Sequence, residues 1–225
     1  MSVDAIACTD VWKVYRVGRR IVKALRGVDL RIAAECIVVL RGASGSGKST
    51  LLNLIGGLDA PTKGVVTVLG TSVAEMGRAE RGAFRRHNVG FVFQELVLVP
   101  HLSALENVAL ALAFDHPRAT ALARSAYLLG ELGLDERLNH RPGELSYGER
   151  QRVAVARATA RAPRILLADE PTANLDDTNA ERVLAALQAL RRTGAAVVVA
   201  THDPRVESIA DRVITIQAGS LGQLP

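Results

Sequence analysis

Gly42-Ala43-Ser44-Gly45-Ser46-Gly47-Lys48-Ser49-Thr50 follows directly on Ile37-Val38-Val39-Leu40-Arg41 and leads into Leu51-Leu52-Asn53-Leu54-Ile55. The run 37–40 is continuously apolar and short, as a buried strand is, and a helix starting near Lys48 carries Leu51, Leu52, Leu54 and Ile55 on its inner side. Between them, Gly42-x4-Gly47-Lys48-Ser49 fits the phosphate-loop pattern in full. The glycines let the backbone curl so that successive N–H groups point inward. Those donors, with the N-terminus of the following helix, favour an anionic oxygen. In such a loop Lys48 reaches the β- and γ-phosphates of a nucleotide, and the Ser49 hydroxyl ligates Mg²⁺. Strand, loop and helix in this order predict an α/β fold, a P-loop core whose parallel sheet is flanked by helices.

The pattern extends outward on both sides. Residues 5–40 alternate apolar and polar positions (Val28, Leu30, Ile32), which predicts short strands in an N-terminal antiparallel β subdomain. Gly56-Gly57 ends the helix, and 64–70 reads as a strand between glycines. Over 98–138 the period becomes helical. Ser103-Ala104-Leu105-Glu106 has capping-box spacing, so a helix starts there, and Gly130 and Gly133 read as breaks. This predicts a helical subdomain inserted at about 96–150 of a single domain, 1–225. Beyond it the sequence predicts a helix over 147–162 stopped by Pro163, a strand 165–168, a helix 177–192 closed by Gly194, a strand 195–200, a helix 204–210 and a strand 213–216.

Strands alternating with helices place ligands at the strands' C-terminal ends. Asp169 falls at such an end, after Ile165-Leu166-Leu167-Ala168, where a carboxylate can bind Mg²⁺ through water. Glu170, one residue further, is placed to accept a proton from a water attacking the γ-phosphate. An Asp-Glu pair can also simply close a strand before a Pro171 turn. The phosphate loop upstream decides between these readings in favour of the catalytic one.

Composition bounds the rest. The chain has 225 residues, 48% hydrophobic and only 4% aromatic, so Ala and Leu do most of the core filling. A net charge of +5 and a pI near 9.7 are moderately basic. The basic pairs Arg19-Arg20, Arg85-Arg86 and Arg191-Arg192 are dispersed, which suits a solvated surface or an anionic membrane face, and no nucleic acid is expected. Cys8 and Cys36 show no metal spacing and read as buried, inert thiols in a reducing cytosol. Residues 1–10 lack the pattern of a signal peptide. The most apolar runs are strand-sized, far below the ~20 residues that span a bilayer, so a soluble chain is expected.

Further motifs carry a family resemblance over nearly the whole chain. Leu145-Ser146-Tyr147-Gly148-Glu149-Arg150-Gln151-Arg152 resembles the signature peptide of ABC-type ATPases, and Asp169-Glu170-Pro171-Thr172-Ala173-Asn174-Leu175-Asp176 their run from the acidic pair to the loop that crosses the dimer interface. Thr201-His202-Asp203 resembles the histidine switch, and Phe91-Val92-Phe93-Gln94 the glutamine loop. Tyr15 stands where the family has an aromatic that stacks on adenine. The resemblance implies ATP and Mg²⁺ as ligands and a head-to-tail homodimer with two ATP molecules, each between the phosphate loop of one subunit and the signature of the other. Ser146 and the Gly148 N–H would contact the γ-phosphate bound by the partner, with Glu149 beside them. His202 would touch the γ-phosphate, and Gln94 would sense magnesium and the attacking water.

Two residues depart from the family's usual Ser-Gly-Gly-Gln. Tyr147 puts a ring where backbone normally approaches ATP, and Glu149 adds a negative charge that Arg150 or Arg152 would have to offset. The segments 90–94 and 102–108 resemble the branch serving lipoprotein release, macrolide or peptide efflux and cell division, whose members drive a separate transmembrane permease subunit from the cytoplasmic face. The helices of 98–138 would then supply a groove for a helix of that permease. The alternatives are a soluble ABC-type ATPase acting on DNA or ribosomes, against which stands the short segment between Gln94 and Ser146, and a nucleotide-dependent regulator disabled by Tyr147 and Glu149.

Overall fold

The computed structural model describes residues 4–18 and 20–222; the first three residues, Arg19 and the last three lie outside the described residues. The chain opens with a long hairpin, β1 (Asp4–Val17) and β2 (Arg20–Ala33), rather than several short strands. Then follow β3 (Ile37–Arg41), α1 (Lys48–Ile55), β4 (Lys63–Val68), β5 (Thr71–Ser72), α2 (Arg78–Asn88) and β6 (Val89–Val92). The helical stretch contains α3 (Ala104–Ala109), α4 (Arg118–Glu131) and two 3₁₀ turns at Asp135–Arg137 and Pro142–Glu144. The remainder is α5 (Tyr147–Thr159), β7 (Ile165–Asp169), α6 (Asp177–Arg192), β8 (Ala196–Ala200), α7 (Pro204–Glu207), β9 (Arg212–Gln217) and β10 (Ser220–Leu221).

These strands form two sheets. One is antiparallel with the order β2-β1-β4-β5; the other has the order β10-β9-β3-β8-β7-β6 and is parallel except for β10. Residues 37–40, 165–168 and 196–200 are all buried, as a parallel sheet covered on both faces requires. Alternate side chains divide between two cores. Ile37, Val39, Leu166, Ala168, Val197 and Val199 pack with residues of α3 to α6. Val38, Leu40, Ile165, Leu167, Val198 and Ala200 pack with α1 and the antiparallel sheet. Leu51, Leu52, Leu54 and Ile55 of α1 are buried between the two sheets. At about 1.5–3 kcal/mol for each such side chain, that burial fixes the helix behind the phosphate loop.

Several elements differ from expectation for identifiable reasons. Helix α2 and strand β6 had no sequence signal: α2 buries no residue, and its charged RAERGAFRRHN offers little apolar period. Gly130 lies inside α4, and the chain turns at Gly133 (φ 67°). A Cβ on Gly130 would stand 2.8 Å from Asp135 Oδ1, so the glycine serves a close approach within the helix. Helix α5 stops at Thr159, and Ala162 (φ 47°) turns the chain ahead of Pro163. The helix expected over 204–210 is a single turn. The Ser103 capping box is formed with both bonds, Glu106 N–H to Ser103 Oγ at 3.1 Å and Ser103 N–H to Glu106 Oε2 at 2.9 Å. Cys8 is buried and its thiol is pushed up to about 12, chiefly by desolvation; Cys36 is only half-buried, and its thiol is raised by the same cause. Among the described residues no helix is long and apolar enough to cross a membrane.

Candidate functional site

Because β8 lies between β3 and β7, three neighbouring strands deliver their C-terminal ends to one rim. The phosphate loop leaves β3, Asp169 ends β7, and Thr201-His202 leave β8. A cleft of about 760 Å³ opens there, lined by Gly42, Ala43, Ser44, Gly45, Lys48, Ser49, Gln94, Asp169, Glu170 and His202. The cleft thus gathers residues that lie far apart in sequence.

The loop's curl depends on Gly47, whose φ of 110° disfavours any side chain and whose Cβ would stand 2.6 Å from the Ala24 carbonyl. Lys48 Nζ donates to the carbonyls of Gly42 (2.7 Å) and Ala43 (3.2 Å), spanning the loop from inside. Ser46 is buried, and its Oγ has no hydrogen-bond partner among the described residues. Thr50 follows in the first turn of α1.

Asp169 sits deep in the cleft. Burial pushes its carboxyl above the usual range, a hydrogen bond with the Ser49 hydroxyl opposes this, the nearby Glu170 charge adds to the rise, and Lys48 counters it. Glu170 has the left-handed φ of 50°, rare for a side-chain-bearing residue. Its N–H donates to Ala200 O at 2.8 Å, and its carbonyl accepts from Gln151 Nε2 at 3.2 Å. Both carboxylate oxygens are engaged: Thr201 Oγ1 donates to Oε2 at 2.8 Å, and His202 Nδ1 lies 2.8 Å from Oε1. The Glu170 side chain is only 16% exposed whereas that of His202 is 82% exposed, so the imidazole's far side faces the cleft opening. Thr201, Gln151 and the cluster Thr172, Asp203 and Arg205 were not singled out from sequence. Their only signal was adjacency to the acidic pair, the signature and the histidine.

Tyr15 does not line the cleft. On β1 its hydroxyl donates to Asp59 Oδ2 at 2.9 Å, Lys13 Nζ lies 4.9 Å from the ring centroid, and burial and Asp59 both raise its hydroxyl above the ordinary range.

The signature residues Ser146, Gly148 and Glu149 do not line this cleft; Tyr147 alone of them borders it. Ser146 caps α5, with Glu149 N–H donating to its Oγ at 3.2 Å and its own N–H to Glu149 Oε2 at 2.7 Å. The residue that offsets Glu149 is neither Arg150 nor Arg152 by direct contact. Arg137 Nε donates to Glu149 Oε1 at 2.8 Å, while Arg150 is taken up by the carbonyls of Pro142 and Leu145. Arg137 was invisible as a partner because the 3₁₀ turn that ends on it and the one at Pro142–Glu144 fold the chain back onto α5. Burial pushes the Glu149 carboxyl up, but the Arg137 and Ser146 hydrogen bonds outweigh it and hold the group at about 2. The folded value lies below the ordinary 4.5, so this stabilisation is complete above about pH 4.5 and is lost as pH falls towards 2. Replacing Arg137 with Gln moves the midpoint of acid unfolding upward by about half a pH unit, measured by circular dichroism; an unmoved midpoint would exclude Arg137 as the cause.

Residues 25–173 match a family model described as ABC transporter. The lipoprotein-releasing system ATP-binding protein LolD of Chromohalobacter salexigens is 44% identical over 97% of this chain and 93% of its own length. An uncharacterized ABC transporter ATP-binding protein of Thermotoga maritima is 44% identical over 94% of this chain and 91% of its own. Among solved structures, the dimeric post-hydrolysis state of the ATP-binding cassette MJ0796 bound to ADP and Pi superposes with a TM-score of 0.93 at 39% identity, covering 97% of both chains.

Proposed function

The chain belongs to the ABC transporter family, and from that premise we propose which of its own residues bind ATP, hydrolyse it and pass the motion on. It is an ATP-binding and ATP-hydrolysing transporter subunit that associates peripherally with the membrane and acts on a separate permease subunit. The observation that carries the residue assignment is the single cleft in which Lys48, Ser49, Gln94, Asp169, Glu170 and His202 converge.

Residues 42–50 bind the phosphates, Lys48 reaching the β- and γ-groups, and Tyr15 takes the adenine. The Ser49 hydroxyl and the half-buried Asp169 carboxylate line the same cleft as hard oxygen donors, a set that fits Mg²⁺. Ser49 and Asp169 would hold the ion, with Gln94 close by, and when bound it supplies neutralisation of charge on the β- and γ-phosphate oxygens. Glu170 accepts the proton of the attacking water. Thr201 and His202 keep its carboxylate aimed, and the exposed face of His202 is free for the γ-phosphate. Phosphoryl transfer needs little beyond such positioning and charge stabilisation.

Dimerisation supplies the rest. Ser146, Gly148 and Glu149 do not line their own cleft, which suits their use on ATP held by a second subunit. Because Arg137 already offsets Glu149, the acidic departure in the signature is not a reason to read the chain as a disabled regulator.

We place the permease contact at the border of the helical subdomain, 96–150, on the cytoplasmic face. The groove there differs from one formed by the helices alone, because Phe91 and Phe93 of the core line it together with Val97, Leu110 and Phe114. Phe114 is 71% exposed and Val97 59%. Arg86, which stacks over Phe114, Arg157 and Arg161 line the same groove. An amphipathic permease helix with apolar anchors and an acidic residue fits such a surface. Because Val97 and Phe93 flank Gln94, docking there reaches the cleft through a few residues. Phe114→Asp should weaken co-purification with the permease roughly 10- to 30-fold, as loss of a hot-spot anchor does, and leave hydrolysis by the isolated subunit unchanged. Undiminished co-purification would place the permease elsewhere.

A further inference from the structure

A continuous hydrogen-bonded path leads from the loop after Glu170 back to the Glu170 carboxylate through a different part of the chain. Its centre is Arg205, on the one-turn helix α7. Arg205 Nη1 donates to Asp177 Oδ1 at 2.8 Å and to Leu175 O at 3.5 Å. Nη2 donates to Asp203 Oδ2 at 2.8 Å, and Nε to the two Asp203 oxygens at 3.0 and 3.1 Å. Asp203 also accepts the Thr172 hydroxyl at 2.6 Å and the Arg205 N–H at 2.9 Å. The Asp203 N–H donates to Thr201 Oγ1 at 3.1 Å, and that hydroxyl donates to Glu170 Oε2 at 2.8 Å.

We propose that Arg205 is a positioning residue: it clamps the loop 172–177 to the Thr201-His202-Asp203 turn, so that whatever presses on the loop also sets the aim of Glu170 and His202 in the same chain. The proposal rests on the reading of Glu170 as general base in a dimer, and on residues 173–176 facing the second subunit.

A solvated Arg–Asp pair ordinarily contributes little and constrains nothing. This one differs in burial and in geometry. The Asp203 side chain is 13% exposed, and its two oxygens are shared among the guanidinium fork, one hydroxyl and one backbone N–H. The Asp177 side chain at the other end is 91% exposed. One end of the clamp is therefore embedded in the site and the other lies on the surface. A planar fork can hold two carboxylates and a carbonyl in fixed relative positions, which a single ammonium cannot. Gln94, Asp169, Glu170 and His202 share the cleft with Thr172, Asp203 and Arg205, so a shift of the fork is felt where the γ-phosphate would lie.

The test is steady-state Mg-ATP hydrolysis by the full chain, Arg205→Gln and Arg205→Lys, with ATP affinity and thermal midpoint measured on each. Arg205→Gln should lower kcat about tenfold, within the range of coupling mutations remote from a ligand, and leave KM, ATP affinity and thermal midpoint nearly unchanged. Arg205→Lys, which keeps charge and loses the fork, should not restore kcat. The surface change Asp177→Asn should lower kcat about twofold, and it decides the matter if Arg205→Gln does not fold. An unchanged kcat in Arg205→Gln, restoration by Lys, or a loss that tracks thermal midpoint or ATP affinity would each overturn the clamp. Full turnover in Glu170→Gln would instead overturn the reading beneath it, and the clamp with it.

Discussion

With Glu170 replaced by Gln, Mg-ATP turnover falls roughly 10²–10⁴-fold, the span for losing a positioned general base, and ATP binding persists. The substitution is nearly isosteric, and the environment retains the side chain. The Thr201 hydroxyl can still donate to the amide oxygen, and the backbone bonds to Ala200 and Gln151 do not involve the side chain at all. What is lost is the negative charge and its basicity, together with the Oε1 acceptor that faces His202 Nδ1. Since Lys48, Ser49 and the signature residues are untouched, the variant should accumulate as an ATP-bound dimer, seen as a shift in size-exclusion chromatography on adding ATP. Steady-state hydrolysis equal to that of the unaltered chain would remove Glu170 from the mechanism.

Lys48→Ala acts at an earlier stage. The ammonium spans the loop, bonded to the Gly42 and Ala43 carbonyls, and faces the place where the β- and γ-phosphates would sit. Its removal forfeits charge-assisted hydrogen bonds worth about 1.5–3 kcal/mol. It also leaves two loop carbonyls facing the anion without an intervening cation. ATP affinity should therefore drop on the order of 10- to 100-fold, read by equilibrium titration with a fluorescent ATP analogue. The two variants separate cleanly, because Glu170→Gln keeps the nucleotide and stalls whereas Lys48→Ala fails to hold it. Undiminished affinity in Lys48→Ala would contradict the phosphate-loop assignment.

The parts of the molecule legible in the sequence are those governed by local rules. Ile37–Arg41, Lys48–Ile55 and Asp177–Arg192 are set by apolar runs, helical period and end signals within a few residues, and each forms where those signals lie. The capping box at Ser103 is equally local. By contrast, α2 turns a charged face outward and carries no period to detect. The partners of the site were illegible for another reason. Arg137 reaches Glu149 through a fold-back of the chain, and Thr172 meets Asp203 across the gap between neighbouring strands. The sequence identifies the residues that carry chemistry by type and spacing; it does not show which uncharacteristic side chains hold them in place.

The left-handed backbone of Glu170 has a consequence for how this position can change over time. A residue with a Cβ at φ 50° bears a local cost of roughly 1–2 kcal/mol that glycine would escape. Substitution there by glycine would relieve that cost, but it would forfeit the bonds from Thr201 and His202 and leave the site chemically inert. Position 170 is where backbone geometry asks for a residue without a Cβ and the chemistry asks for a carboxylate.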